Sequence, residues 1–213
     1  MPTASANQPS MKCFVYTSSS FAVTLPKPGT PFTVTANTFN DEAVQWISKP
    51  DADGAAIYAA SKVAAERAIS EWLQENNSSL VVNTILPNAY IGPIISPVNQ
   101  GIQPRRDGEV PAQHFVNVQD DARLHVIALA HPDVQEERIF AVTAPFSIND
   151  IVAILRKLYP KRKWEDLQED EQDLCVFDGV QRAEQLLAEA YGAGFIGLEE
   201  SVKGNVADLA GDC

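Results

Sequence analysis

Tyr58-Ala-Ala-Ser-Lys62 is the stretch whose residue types and spacing are best suited to chemistry. Side chains four residues apart share one face of a helix, so an ammonium can lie beside a phenol there. A free phenol ionises only at about pH 10 and is a poor base at neutrality. A neighbouring cation stabilises the phenolate and brings its ionisation toward the working range, which makes the tyrosine a usable proton donor or acceptor. A hydroxyl holding a substrate carbonyl oxygen would complete such a site, and Ser18-Ser19-Ser20 supplies one upstream. Each feature alone has a plain structural explanation: a surface tyrosine with a solvated lysine, and a strand-ending turn. The joint pattern is much harder to obtain by accident.

The elements around these residues point to an α/β fold. Residues 1–11 read as a disordered tail, and Cys13-Phe-Val-Tyr-Thr17 as a buried strand that stops at the serines. Residues 24–56, rich in Pro, Thr, Asp and Gly, read as a long loop of the kind that is usually functional. An Ala-rich helix follows from about Tyr58 to Gln74, with Val63, Ala64, Ala68 and Trp72 on one face. Leu80 to Leu86 is a second strand, halted by Pro87. Helix then strand at this spacing is the second half of a parallel βαβ unit. In open sheets of this kind the active site lies at the carboxyl ends of the strands, where Ser19, Tyr58 and Pro87 would all fall.

Further along, residues 87–111 are irregular, Val118 to Ala130 is a helix and Arg138 to Thr143 a strand. Ser147-Ile-Asn-Asp150 has the form of a capping box, with Asp for Glu, opening a helix through Leu158. Residues 161–175 form a charged connector. Val180 to Tyr191 and Leu198 to Leu209 read as two more helices joined by glycines.

Four blocks occur in a recognisable order: Phe14-Val-Tyr-Thr-Ser-Ser-Ser20, Tyr58-Ala-Ala-Ser-Lys62, Asn83-Thr-Ile-Leu-Pro-Asn88 with Tyr90-Ile-Gly-Pro93, and Phe115-Val-Asn-Val-Gln-Asp-Asp-Ala-Arg-Leu-His125. Together they resemble the extended short-chain dehydrogenase/reductases (the NAD-dependent epimerase/dehydratase family), most closely the dihydroflavonol-4-reductase and fungal aldehyde/ketone reductase branch. The resemblance runs from about Lys12 to about Leu209. It implies an incomplete Rossmann-like parallel sheet over residues 12–130 and a small helical, substrate-side region over 131–213. It also implies Ser19 as the hydroxyl that orients the carbonyl, with Ser20 as its alternative, and Tyr58 as general acid/base. Lys62 would tune the phenol and hydrogen-bond the nicotinamide ribose, and Pro87 and Asn88 would line the nicotinamide pocket. The implied cofactor is NADP and the implied substrate a small carbonyl compound: an aldehyde, ketone or polyketide-like molecule.

The chain departs from the family in three places. Asn117 stands where most members carry Asp, and the stretch between Gln100 and Gln113 looks shortened. The opening third, with the Gly-rich turn that grips the pyrophosphate, is missing. Gly192-Ala-Gly-Phe-Ile-Gly197 matches G-x-G-x-x-G by letter but not by context. A helix rather than a strand precedes it, and the 16 residues after Gly197 are too few for the βαβ unit the fingerprint needs. The glycines read as helix breakers.

Three functions are compatible with these residues. The first is an NADP-dependent reductase with Tyr58 as proton donor. The second is a non-redox isomerase, dehydratase or cyclase that uses Tyr58 and Lys62 without the cofactor. The third is a catalytically dead remnant. His114, His125 and His131 invite comparison with a Ser-His-Asp hydrolase, but there is no Gly-x-Ser-x-Gly elbow. Asp120 and Asp121 suit a helix start, a structural role. Lys157 to Lys163 is a solvated basic run. The net charge of −12 argues against nucleic acid and anionic membranes as partners. The apolar runs are too short for a membrane span, and the N-terminus lacks a signal-peptide core. Cys13, Cys175 and Cys213 have no metal-ligand spacing, which fits reduced thiols in a cytoplasmic protein and no metal site. An uncovered sheet edge would favour homo-oligomers.

Overall fold

The computed structural model describes residues 2–6, 8, 10–96, 111–165 and 171–207. Most of the shortened stretch after Gln100, the end of the last expected helix at Leu209, and Cys213 lie outside the described residues. In chain order the elements are α1 (Pro2–Ala6), β1 (Cys13–Thr17), a 3-10 turn (Ser20–Ala22), β2 (Phe32–Val34), α2 (Asp41–Trp46), α3 (Gly54–Glu75), β3 (Val81–Pro87) and β4 (Ala89–Ile91). They continue with β5 (Gln113–Asn117), α4 (Val118–Ala130), β6 (Arg138–Ala141), β7 (Ala144–Phe146), α5 (Ile148–Leu158), β8 (Cys175–Phe177), α6 (Val180–Tyr191) and α7 (Leu198–Asn205).

The central sheet has the order β1-β3-β6, all parallel, with Thr17 across from Ile85 and Pro87 across from Ala141. Side chains alternate between the two faces of a strand, and both faces here are covered. Ile85 and Ile139 join a core with Leu124 and Ile127 of α4 and Leu186 and Leu187 of α6. Leu86 and Phe140, one residue on, enter a second core with Val23, Val34 and Phe177. Burial on both sides explains why β3 is apolar apart from Asn83 and Thr84, as parallel strands covered on both faces tend to be. The strand β6 comes from beyond residue 130 and completes this sheet, so the two regions expected from sequence share one core.

Several expectations needed adjustment. Where a tail was expected, Pro2–Ala6 is helical and lies near α3. The loop expected over residues 24–56 contains β2 and α2, and β2 pairs in parallel with β8. Three-residue strands show no periodicity, and this pairing joins residues far apart in the chain. The helix carrying Tyr58 begins earlier than expected. The Asp53 side chain caps it, accepting the Ala56 N–H at 2.7 Å, so Tyr58 lies in the second turn. The Ser147–Asp150 capping box is present, with both reciprocal hydrogen bonds. Gly192 ends α6 in the left-handed conformation (φ 78°), so the Gly192–Gly197 stretch is a helix stop and not a phosphate loop.

Candidate active site

The carboxyl end of β1 runs into the serine turn. The Ser18 N–H donates to the Ile85 carbonyl at 2.8 Å, extending the strand pairing by one residue. The Ser18 hydroxyl donates to Glu66 Oε1. Ser19, only 6% exposed, caps the 3-10 turn by accepting the Phe21 N–H at 3.2 Å on its Oγ. That bond uses a lone pair and leaves the hydroxyl proton available to another acceptor. Ser20 is completely buried and its Oγ has no partner.

Helix α3 brings Tyr58 and Lys62 to this turn. The Tyr58 ring meets Phe21 edge-on, with centroids 6.1 Å apart, and stays 45% exposed. Lys62 donates from Nζ to the Thr17 carbonyl at 3.1 Å. The same ammonium lies 5.6 Å from the Tyr58 ring centroid and 5.5 Å from that of Tyr16. Pro87, buried, and Asn88 leave β3 at the same rim of the sheet; Asn88 Oδ1 accepts the Ala89 N–H at 2.7 Å. The residues singled out in the sequence thus gather at one end of the parallel sheet.

Other residues at this rim were not singled out. Glu66, eight residues beyond Tyr58, is buried and bridges Ser18 to Arg138 Nε at 2.7 Å. Arg138 also donates to the Ala36 and Thr38 carbonyls and stacks 4.1 Å from the Phe39 ring. The repeat 58, 62, 66 along one helix face was the available signal. Tyr90, on β4, is half-exposed, and its phenol is pushed up by partial burial and then by the charge and hydrogen bonding of Asp121. Burial likewise raises the Asp121 carboxyl, with His125 opposing the shift. His125 Nε2 lies 2.7 Å from Thr17 Oγ1.

Gly92, with φ 155°, sits where an added Cβ would come within 2.8 Å of Val118 Cγ1, so only glycine lets the chain after β4 pass the start of α4. Asn117, the departure from the family's Asp, is buried. Its Oδ1 accepts the Gln119 N–H at 2.9 Å, and its Nδ2 donates to Ser201 Oγ at 2.9 Å. His114 lies elsewhere, in a buried pair with Asp173 at 2.9 Å, beside Cys175. Burial and then Asp173 push the Cys175 thiol up to about 12, so it stays protonated and non-nucleophilic at neutral pH. Among the described residues no group of three or more His, Cys, Asp or Glu could hold a metal ion, and no helix is long and apolar enough to cross a membrane.

No protein-family model matches the chain. Curated relatives do. Ketoreductase adrE of Penicillium rubens is 33% identical over 218 residues, covering 96% of this chain and 64% of the relative. Aldehyde reductase 2 of Sporidiobolus salmonicolor is 32% identical over 227 residues, covering 98% and 65%. The chain belongs to the extended short-chain dehydrogenase/reductases.

This family member spans just under two thirds of the length of those relatives. Its fold matches that of Gre2 from Candida albicans in complex with NADPH, with a TM-score of 0.75 at 22% identity over 94% of this chain and 64% of that one. Vestitone reductase from alfalfa gives 0.72 at 18% identity, over 99% of this chain and 68% of that one. At such identities the likeness establishes the Rossmann-like architecture, which is the fold class expected from the sequence blocks.

Proposed function

We propose that this chain carries the catalytic site of an NADP-dependent reductase acting on a small aldehyde, ketone or polyketide-like carbonyl compound. The observation that carries the reading is the Lys62 ammonium, held between the Thr17 carbonyl and the Tyr58 ring beside the serine turn. The site fits a nicotinamide nucleoside. Lys62 has ammonium protons beyond the one given to Thr17, Ser20 Oγ is a buried hydroxyl without a partner, and both stand at the carboxyl ends of parallel strands. Tyr58 and Lys62 would hold the ribose, and Pro87 and Asn88 would border the nicotinamide. When bound, the cofactor supplies the hydride.

The chain's own residues do the rest. Ser19 donates its free hydroxyl proton to the substrate carbonyl oxygen, fixing it near Tyr58. Tyr58 delivers a proton to that oxygen as negative charge builds there. The Lys62 ammonium, 5.6 Å from the Tyr58 ring centroid, would offset the charge left on the phenol oxygen. Phe21 packs edge-on against the Tyr58 ring at the serine turn. The activities named for the relatives, ketoreductase and aldehyde reductase, support this assignment.

The test is a titration of the full chain with NADPH, followed by nicotinamide fluorescence, and then addition of an aldehyde. Saturable binding, and loss of the signal on adding the aldehyde, are expected. Absence of binding, with Tyr58-dependent turnover of a carbonyl substrate, would replace this reading with a cofactor-free isomerase, dehydratase or cyclase. Absence of both would mark the chain as inactive.

A further inference from the structure

The histidines that invite comparison with a hydrolase lack a Gly-x-Ser-x-Gly elbow, yet the fold places one of them between a hydroxyl and a carboxylate. His125 Nε2 is 2.7 Å from Thr17 Oγ1. Its Nδ1 is 2.8 Å from the backbone carbonyl of Asp121 and 3.5 Å from that residue's Oδ2. A carbonyl oxygen can only accept, so Nδ1 carries the proton. In the neutral ring Nε2 is then the basic nitrogen, and Thr17 must be the donor to it. Exposure is graded along the three residues: Thr17 is exposed, the His125 side chain is 25% exposed and that of Asp121 is 10% exposed. A reachable hydroxyl with a base behind it is the arrangement by which hydroxyl nucleophiles are activated, whatever the fold. Here the Asp121 main-chain carbonyl takes the Nδ1 proton and orients the ring, and the carboxyl group 3.5 Å away stands where an imidazolium would form. Asp121 Oδ1 is buried with no partner, while Tyr90 hydrogen-bonds to the same carboxyl group.

We propose that Thr17, His125 and Asp121 form a second reactive centre, separate in chemistry from the Tyr58 site, that accepts the acyl group of small activated esters. Thr17 Oγ1 attacks the acyl carbon while its proton passes to His125 Nε2. The tetrahedral oxyanion collapses, the bond to the alcohol oxygen breaks, and His125 returns the proton to that departing oxygen. Water, deprotonated by the same His125, then attacks the acyl-threonine, releases the carboxylic acid and restores the hydroxyl. Lys62, whose Nζ is bonded to the carbonyl of the same Thr17, brings positive charge to this end of β1, where an oxyanion would form. The rings of Tyr16 and Tyr58, with centroids 5.5 and 5.6 Å from Lys62 Nζ, suit an aromatic leaving group.

The probe is p-nitrophenyl acetate, without NADPH, so the result does not depend on the reductase reading. Release of p-nitrophenolate above the buffer rate is expected, with an acetyl group on Thr17 found by peptide mass mapping of quenched early samples. Thr17→Val should lower the protein-dependent rate by about tenfold or more, and His125→Gln by a similar factor. Residues acting as a unit are non-additive, so the double variant should be no slower than either alone. Thr17→Ser keeps the hydroxyl and should keep the activity, which separates loss of the nucleophile from loss of folding. Hydrolysis no faster than buffer, an undiminished rate in Thr17→Val, or acetylation confined to Lys62 would each overturn the proposal.

Discussion

Asn117 shows how one atom's bonding decides a residue type. Ser201 Oγ already donates to the Gly197 carbonyl at 2.8 Å, so its remaining need is for a donor, which the Asn117 amide provides at 2.9 Å. A carboxylate at position 117 would offer no proton. It would also stand just before Asp120 and Asp121, both buried. Restoring the family's usual residue with Asn117→Asp is therefore expected to destabilise the chain by about 1–3 kcal/mol, the cost of a buried group left without its partner. The midpoint of urea unfolding measures it; an unchanged or higher midpoint would show that Ser201 simply turns its hydroxyl round. At this scale the sequence was informative where spacing is local. Tyr58 and Lys62 share a helix face because they are four apart, and they do meet at the serine turn. Thr17 and His125 are 108 residues apart, and no local pattern relates them.

Among elements, the longer ones were legible and the short ones were not. Helix α4 announces itself by an apolar period ending before Pro132, and β3 by a β-branched run ending at Pro87. The strands β2, β4, β7 and β8 have three residues each and exist because a distant partner or neighbouring strand is there to pair with. What joins α3 to the sheet is equally non-local: Glu66 takes the Ser18 hydroxyl on one oxygen and Arg138 on the other. Both charged side chains are largely removed from water, at 5% and 15% exposure, so removing one leaves the other uncompensated. Arg138→Ala should therefore cost about 3–5 kcal/mol, whereas Glu66→Leu with Arg138→Met should cost less than the sum of the two single changes. A double-mutant cycle by urea denaturation reads this directly. Additive single effects would mean that the pair is not coupled.

For the whole molecule, three parallel strands with a core on each face form a folded unit whose carboxyl ends present the serine turn, Tyr58, Lys62, Pro87 and Asn88 together. The family was readable from four short blocks: Phe14–Ser20 and Asn83–Asn88 carry the ends of β1 and β3, Tyr58–Lys62 lies near the start of α3, and Phe115–His125 runs from β5 into α4. The proposed reaction turns on the Tyr58 phenol giving its proton to the substrate carbonyl. Tyr58→Phe, set beside the unaltered chain in NADPH-dependent carbonyl reduction with NADPH affinity measured in parallel, isolates that step. A fall in kcat of about a hundredfold or more is expected, with NADPH binding weakened only by the loss of one hydroxyl contact. Turnover by Tyr58→Phe as fast as that of the parent would remove Tyr58 from the reaction.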